Sequence, residues 1–391
     1  MRKLVVIVIV LVAIAAGVAA YLFLTTPRQG AGVRFPLSDA DRALLARVPA
    51  SAEAFALIPT AAAFEAKLRA NPITRQAIES WEEKQTMPKR WMLGGASLLV
   101  WRDAGGGIRY LVQADPLRSL FVRNEAPGAP LEAAELETIV SLASKLPNGD
   151  ALVVQRAQSR GAYPPMARPA VTSLTITPAA IDLTSRAPGT TDNRQLTTIP
   201  SFPQTAMLSA TFAEAPRLVD DLNRLFGAKV SSVLQQGGSI AIYDVDAGKL
   251  LPRPLGVIAV PADDARRAAF NELVERARQA EAIGVRVRTA EKDGMLLLSF
   301  DDSLDTYLKD RLEPARWPGG RWAVRIDAQR LAPVLRKLSD SIGLRIASPR
   351  LFRSARDLQR WIGGLERASV IDATAADDGA SEVLEVRIAA K

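Results

Sequence analysis

The 391-residue chain contains no cysteine and no histidine. Without cysteine there is no disulfide and no thiol nucleophile. Without histidine there is no Ser-His-Asp triad, and the side chain that ordinarily titrates between pH 5 and 8 is missing. With both gone, the usual zinc, haem and blue-copper ligand sets cannot be assembled. The sequence also lacks G-x-S-x-G and S-x-x-K, the latter a serine arrangement that works without histidine. It has no G-x-G-x-x-G between a strand and a helix and no P-loop lysine. These absences predict no catalytic residue, no cofactor and no metal ligand.

What is present describes a folded chain. Apolar residues make up 48% and charged residues 24%, an ordinary globular composition. The 50 basic residues outnumber the 42 acidic ones, for a net charge of +8, and 39 of the 50 are arginine. Guanidinium pairs with phosphate and carboxylate in a bidentate way, so the bias suits anionic partners.

Leu4 to Leu24 is a run of 21 uncharged, almost wholly apolar residues. At about 1.5 Å per residue such a helix crosses a hydrocarbon core. Arg2 and Lys3 precede it, and Thr25, Thr26 and Pro27 end it. The run exceeds the h-region of a cleaved signal peptide. It predicts an uncleaved single-pass anchor in a bacterial inner membrane. The dense positive charge before it predicts that the rest of the chain lies in the periplasm or outside the cell.

Beyond the anchor, three segments share one order: strand, helical layer, Gly-Gly, Ser, strand, turn, strand. In the first, Ala54–Ile58 is a strand, Ala61–Ala70 and Ile73–Gln85 are helices, and Gly94-Gly95 and Ser97 precede strands Leu98–Arg102 and Ile108–Ala114. In the second, strand Ala206–Phe212 and helix Arg217–Phe226 lead to Gly237-Gly238-Ser239 and strands Ile240–Val245 and Leu255–Val260. In the third, Asp327 caps a helix from Ala328 to Ile342 after strand Trp322–Ile326. A second helix from about Ser354, Gly363-Gly364, Ser369 and strands Val370–Ala373 and Glu382–Ala389 complete it. The glycine pairs are expected to supply φ > 0 where each helix reverses into a strand. The repeated serines are expected to bond turns or strand edges.

Between these segments lies a second pattern. Helix Leu131–Leu146 is followed by extended stretches Ala151–Arg156 and Val171–Arg186. Helix Ala265–Ala282 is followed by a hairpin about Lys292-Asp293-Gly294 and a short helix from Asp302. The whole predicts an α+β fold: an N-terminal transmembrane helix, then repeated strand-helix-strand-strand units forming antiparallel sheets with helices packed on one face. The expected divisions are an anchor (1–26), a juxtamembrane linker with a short helix (27–47), a first α+β module (48–199), a second (200–316) and a shorter third unit (317–391). The proline-rich stretch Gly161–Pro203 marks the break between modules.

Three features carry a resemblance. They are the single N-terminal anchor, Val48-Pro49-Ala50 ahead of Phe55-Ala56-Leu57-Ile58-Pro59, and Leu93-Gly94-Gly95 before a strand. In these the chain resembles bacterial single-pass, membrane-anchored ectodomain families known only as domains of unknown function. The resemblance implies location and fold and lends no catalytic residues.

Charge is concentrated in one place. Between Arg321 and Arg367 eleven basic residues face four acidic ones. Arg321, Arg325, Arg330, Arg336, Lys337, Arg345, Arg350, Arg353, Arg356 and Arg360 form the candidate patch for an anionic partner. Nucleic acid is not expected outside the cytoplasm. The expected partners are the bilayer through Leu4 to Leu24, an anionic lipid or acidic envelope polymer, and an envelope protein. The function expected is a non-enzymatic binding or scaffolding protein of the envelope. The alternatives are an envelope lipid or amphiphile binder and a carboxylate-dependent glycan hydrolase working through Asp301, Asp302 and Asp305. Helix capping is the competing explanation for those three aspartates.

Overall fold

A computed structural model describes residues 32–82, 96–103, 107–113, 128–156, 169–189, 196, 200–213, 233, 237–246, 253–279, 286–317, 320–339 and 362–391. Among them no helix is long and apolar enough to cross a membrane. The run Leu4 to Leu24 lies outside the described residues, as do Gly94-Gly95 and the helix expected at Arg217–Phe226. The chain divides into two compact units, 1–178 with 183–188, and 179–182 with 189–391.

The first unit begins with helix α1 (Asp39–Leu45), whose Ser38 hydroxyl accepts the Asp41 N–H at 3.2 Å. Strand β1 (Ala52–Ile58), helices α2 (Ala61–Ala70) and α3 (Pro72–Glu82), and strands β2 (Ser97–Asp103) and β3 (Ile108–Gln113) follow. Then come helix α4 (Ala133–Ala143) and strands β4 (Ala151–Gln155), β5 (Ala170–Ile176) and β6 (Ala180–Pro188), of which residues 180–182 belong to the second unit. The extended stretch expected over Val171–Arg186 is thus two strands with a turn between them. The ladder runs β5-β4-β1-β2-β3, antiparallel throughout.

Both faces of this sheet are packed. Phe55, Leu57, Leu99, Trp101, Leu152 and Val154 meet Leu44 and Leu45 of α1 and Ile139 and Val140 of α4. The alternate residues Ile58, Leu98, Val112 and Ala151 meet Ala61 and Ala62 of α2 on the other face.

In the second unit the strands are β7 (Ser201–Pro203), β8 (Leu208–Phe212), β9 (Gly238–Asp246) and β10 (Arg253–Pro261). Helix α5 (Asp264–Gln279), strands β11 (Arg288–Lys292) and β12 (Met295–Ser299), helix α6 (Ser303–Lys309) and strand β13 (Leu312–Pro314) come next. Strand β14 (Trp322–Asp327), helix α7 (Ala328–Ser339) and strands β15 (Ala368–Asp377) and β16 (Ser381–Ala390) complete the chain. The order is β11-β12-β10-β9-β8-β14-β15-β16, and β7 and β13 form a separate two-stranded sheet. Here too the alternation is two-sided. Val260, Leu296 and Leu298 pack on Phe270 and Val274 of α5. Ala241, Val257, Ala259 and Leu297 pack on Leu304 and Tyr307 of α6. The expectation that helices cover one face only therefore fails in both units. The large antiparallel sheet and the α+β class stand.

Three strand trios share one pairing scheme. β1, β8 and β14 each pair antiparallel with the next long strand, β2, β9 and β15, which pairs in turn with β3, β10 and β16. The glycine pairs do not share one conformation. Gly237 has φ +96°, and a Cβ there would lie 2.6 Å from the Phe212 carbonyl oxygen. Gly363 and Gly364 sit in a helical turn without positive φ, with open space where a Cβ would go. The hairpin at Asp293-Gly294 has φ 52° and 73°, the left-handed pair expected of a tight two-residue turn.

Candidate functional site

The candidate patch starts at Arg321, just before β14, and runs onto α7, and the structure gives all four of its described arginines carboxylate partners. The Arg321 guanidinium lies 2.5 Å from Glu382. Arg325 donates from Nε to Asp372 at 2.8 Å and from Nη1 to Glu313 at 2.9 Å. Arg330 pairs with Asp327 at 3.3 Å and bonds the Thr205 carbonyl, and Arg336 bonds Glu366. Lys337 is exposed on α7. Arg345, Arg350, Arg353, Arg356 and Arg360 lie outside the described residues. Glu313, Asp372 and Glu382 fall outside the 321–367 window, so the positive excess counted along the sequence overstates the local excess in space.

The Arg325 pair belongs to a row of alternating charge across one face. Asp372 stands opposite Arg325 on one side and opposite Arg387 on the other. Arg387 Nη1 reaches both oxygens of Asp182, at 2.8 and 2.9 Å. Arg325, Asp372, Arg387 and Asp182 therefore alternate in sign across β14, β15, β16 and β6, and Glu313 of the separate two-stranded sheet meets Arg325 at one end. The opposite face of the same strands is apolar. Val324, Ile326, Ile371, Ala373, Val386 and Ile388 share it, all of them half-buried.

The three aspartates named for acid–base chemistry are occupied elsewhere. Asp301 accepts the Ser303 N–H at 2.6 Å and the Gly256 N–H at 3.0 Å, which ties the start of α6 to β10. Arg288 forks onto Asp305 with two bonds of 2.7 Å and reaches Asp302 at 3.2 Å. The Arg288 hydrogen bonds hold the Asp305 carboxyl below its usual value. Among the described residues no cluster of three or more acidic groups is arranged to hold a metal ion. The serines play separate local roles. Ser97 Oγ donates to the Pro59 carbonyl at 3.1 Å, Ser239 pairs with the Thr211 hydroxyl at 2.8 Å, and Ser369 Oγ donates to the Ala390 carbonyl at 3.2 Å.

A cleft not anticipated from the sequence lies between β7 and α6, floored by β8, β9 and β10. It is a shallow crevice whose enclosed part is only water-sized, about 10 Å³. Phe202 and Tyr307 flank it, and Ser209, Thr211 and Ser239 contribute hydroxyls. The strand Leu208-Ser-Ala-Thr-Phe212 carries the relevant signal, since its hydroxyls alternate with apolar residues at the period of two that sends them to one face. Phe202 is 2% exposed and packs with Ala315 and Ala323. The Arg325 guanidinium carbon lies 5.5 Å from its ring centre. Nearby, Asp310 accepts the Thr205 N–H at 3.0 Å and its hydroxyl at 2.7 Å. Burial, with the Asp310 charge beside it, raises the Tyr243 hydroxyl above the ordinary tyrosine range. Set beside known proteins, the chain has no matching family model, and no curated protein or solved structure matches it.

Proposed function

We propose that the chain is a single-pass, membrane-anchored binding or scaffolding protein of the bacterial envelope, with its α+β body outside the cytoplasm and no catalytic turnover. We read the three strand trios, with the helix that follows the first strand in two of them, as copies of one unit. The observation that carries the reading is the fate of the polar side chains. Asp301 caps α6 and holds β10, Asp302 and Asp305 hold Arg288, Arg325 of β14 holds β13 and β15, and Arg321 just before it holds β16. Groups bound in this way organise a surface and are not poised for proton transfer. The 21-residue apolar run supports the anchor. Fractionation of cells making the full chain tests the location. The protein should stay with membranes through an alkaline carbonate wash and be digested by protease added to spheroplasts. Recovery in the soluble cytoplasmic fraction would overturn the reading.

A second reading, binding of a lipid or amphiphile, draws on the half-buried apolar face of β14, β15 and β16. Native mass spectrometry of the full chain from nanodiscs would show a bound lipid above the bilayer background. Its absence counts against this second reading alone.

A further inference from the structure

Asn148 is the one asparagine of the chain that is followed by glycine. It lies in the turn that leads from α4 into β4. Such a pair is chemically labile. With no Cβ on the second residue, little hinders its backbone nitrogen from closing a ring onto the asparagine side-chain amide. The fold nevertheless has a use for each residue. A Cβ on Gly149 would lie 2.3 Å from Ser173 Oγ and 2.9 Å from the Leu174 carbonyl oxygen, so only glycine fits. Asn148 Oδ1 accepts the Phe35 N–H at 3.0 Å.

The segment Gly32–Phe35 engages both reacting groups at once. Gly149 donates its N–H to the Val33 carbonyl at 3.1 Å, and the two residues form an isolated antiparallel bridge. The nitrogen that must lose its proton is therefore bonded to Val33, and the amide that must swing onto it is bonded to Phe35. Val33 is 1% exposed, and Phe35 packs against the core of the first unit. Asn148 itself is exposed, so water and hydroxide reach it.

We propose that Asn148 is a site of spontaneous modification, deamidation to aspartate or isoaspartate, and that docking of Gly32–Phe35 governs its rate. When the segment opens, the Gly149 nitrogen gives its proton to hydroxide and attacks Asn148 Cγ. The N–Cγ bond forms, the Cγ–Nδ2 bond breaks, and the amide nitrogen takes up a proton and leaves as ammonia. Water then opens the five-membered imide at either carbonyl, so one water enters for each ammonia lost. One product keeps the original main chain and carries an aspartate side chain, whose oxygen still accepts the Phe35 N–H. The other, isoaspartate, routes the main chain through the side-chain carbon and adds one atom ahead of Gly149. Gly149 then no longer fits among Val33, Ser173 and Leu174, where a methyl already has no room. The isoaspartate form is a one-way release of Gly32–Phe35 from the first unit. The inference goes beyond the envelope reading and stands whether or not Leu4 to Leu24 is an anchor.

The test is ageing of the full chain in nanodiscs in mildly alkaline buffer, with residue 148 followed by peptide mass mapping. Isoaspartyl methyltransferase labelling of the same peptides separates the two products. Asp293-Gly294 and Asp378-Gly379 isomerise without losing ammonia, and the map keeps them apart. Gly32→Ala sets a methyl 2.1 Å from the Gly149 carbonyl oxygen and undocks the segment. Deamidation there should be about tenfold faster or more, as expected when two hydrogen bonds no longer hold the closed state. It should approach the rate of the parent unfolded in guanidinium. Phe35→Ala loosens the segment without touching the labile pair and is the second variant, should Gly32→Ala disturb the rest of the fold; faster deamidation is expected there too. In aged parent, hydrogen exchange should show the Phe35 amide unprotected in the isoaspartate fraction and protected in the aspartate fraction. Equal rates in the folded and unfolded parent would overturn the proposal. So would an unchanged rate in a folded variant whose residue-35 amide exchanges freely, or a protected Phe35 amide in the isoaspartate fraction. None of these outcomes bears on membrane fractionation, so the two readings fail separately.

Discussion

Replacing Arg325 with methionine keeps most of the side-chain volume and removes the guanidinium that joins Asp372 to Glu313. Two hydrogen bonds are lost, to Asp372 at 2.8 Å and to Glu313 at 2.9 Å, along with the contact over Phe202. The Asp372 side chain is 15% exposed and that of Arg325 21%, so neither charge is fully solvated. Removing one member of a deeply buried pair costs about 3–5 kcal/mol, and an exposed pair contributes about 0–1. Arg387 still faces Asp372 after the change, which softens the loss. The two limits bracket an expected cost of about 2 kcal/mol, with roughly 0.5 of it from the Phe202 contact. For a unit of this size that is a fall of ~4–8 °C in melting temperature. Thermal unfolding followed by tryptophan fluorescence measures it. The companion experiment is Arg325→Met with Asp372→Leu, which removes the orphaned charge. The double variant should recover at least ~1 kcal/mol relative to the sum of the two single changes. A single variant within ~0.5 kcal/mol of the parent, or additive single and double effects, would refute the reasoning.

Phe202→Ala should cost about 3–4 kcal/mol, because the ring is buried against two alanines that cannot refill its space; calorimetry checks it. Gly237→Ala should cost about 2 kcal/mol through positive φ and the Phe212 carbonyl, whereas Gly363→Ala should be neutral or slightly stabilising. Matched melting curves of the two variants test the difference. Asp305 has a folded pKa below its unfolded one, so the stability it contributes is present above about pH 3.9 and lost as pH falls below that. Asp305→Asn should flatten the acid limb of a plot of melting temperature against pH. Tyr243 has a raised folded pKa, so its contribution is intact below about pH 10 and lost as pH rises beyond it. Ultraviolet titration at alkaline pH should show that Tyr243→Phe removes one late-ionising tyrosine and flattens the alkaline limb.

Much of the fold was legible because it is local. Helix α2 begins and ends where its residues predict, and Asp293-Gly294 supplies the left-handed pair that its hairpin needs. Asp327 accepts the Gln329 and Arg330 N–H groups as a helix cap should. The covering of both sheet faces also has a local signal. Ala-Phe-Ala-Leu-Ile at 54–58 is apolar at every position, the mark of a strand buried on two sides. What the sequence hides is long-range pairing. No spacing rule places Glu313, Asp372 or Glu382 beside the arginines of β14. The cleft is hidden for the same reason. Ser209 meets Phe202 and Tyr307 only after a two-stranded sheet and a short helix fold over the strands that carry it.

The row Arg325, Asp372, Arg387, Asp182 ties electrostatics to strand register. Side chains alternate faces along a strand, so sliding β15 by one residue would set Arg325 against Ile371 or Ala373 and turn Asp372 toward the apolar side. A slip of two residues would keep the face but replace Asp372 with Val370 or Thr374. Either slip takes Asp372 away from its place opposite both Arg325 and Arg387. The apolar face of the same strands is far less discriminating, because one aliphatic residue there substitutes for another. In a chain with no cysteine to lock its strands by covalent bonds, the matched charges across β14, β15 and β16 favour one alignment over its neighbours.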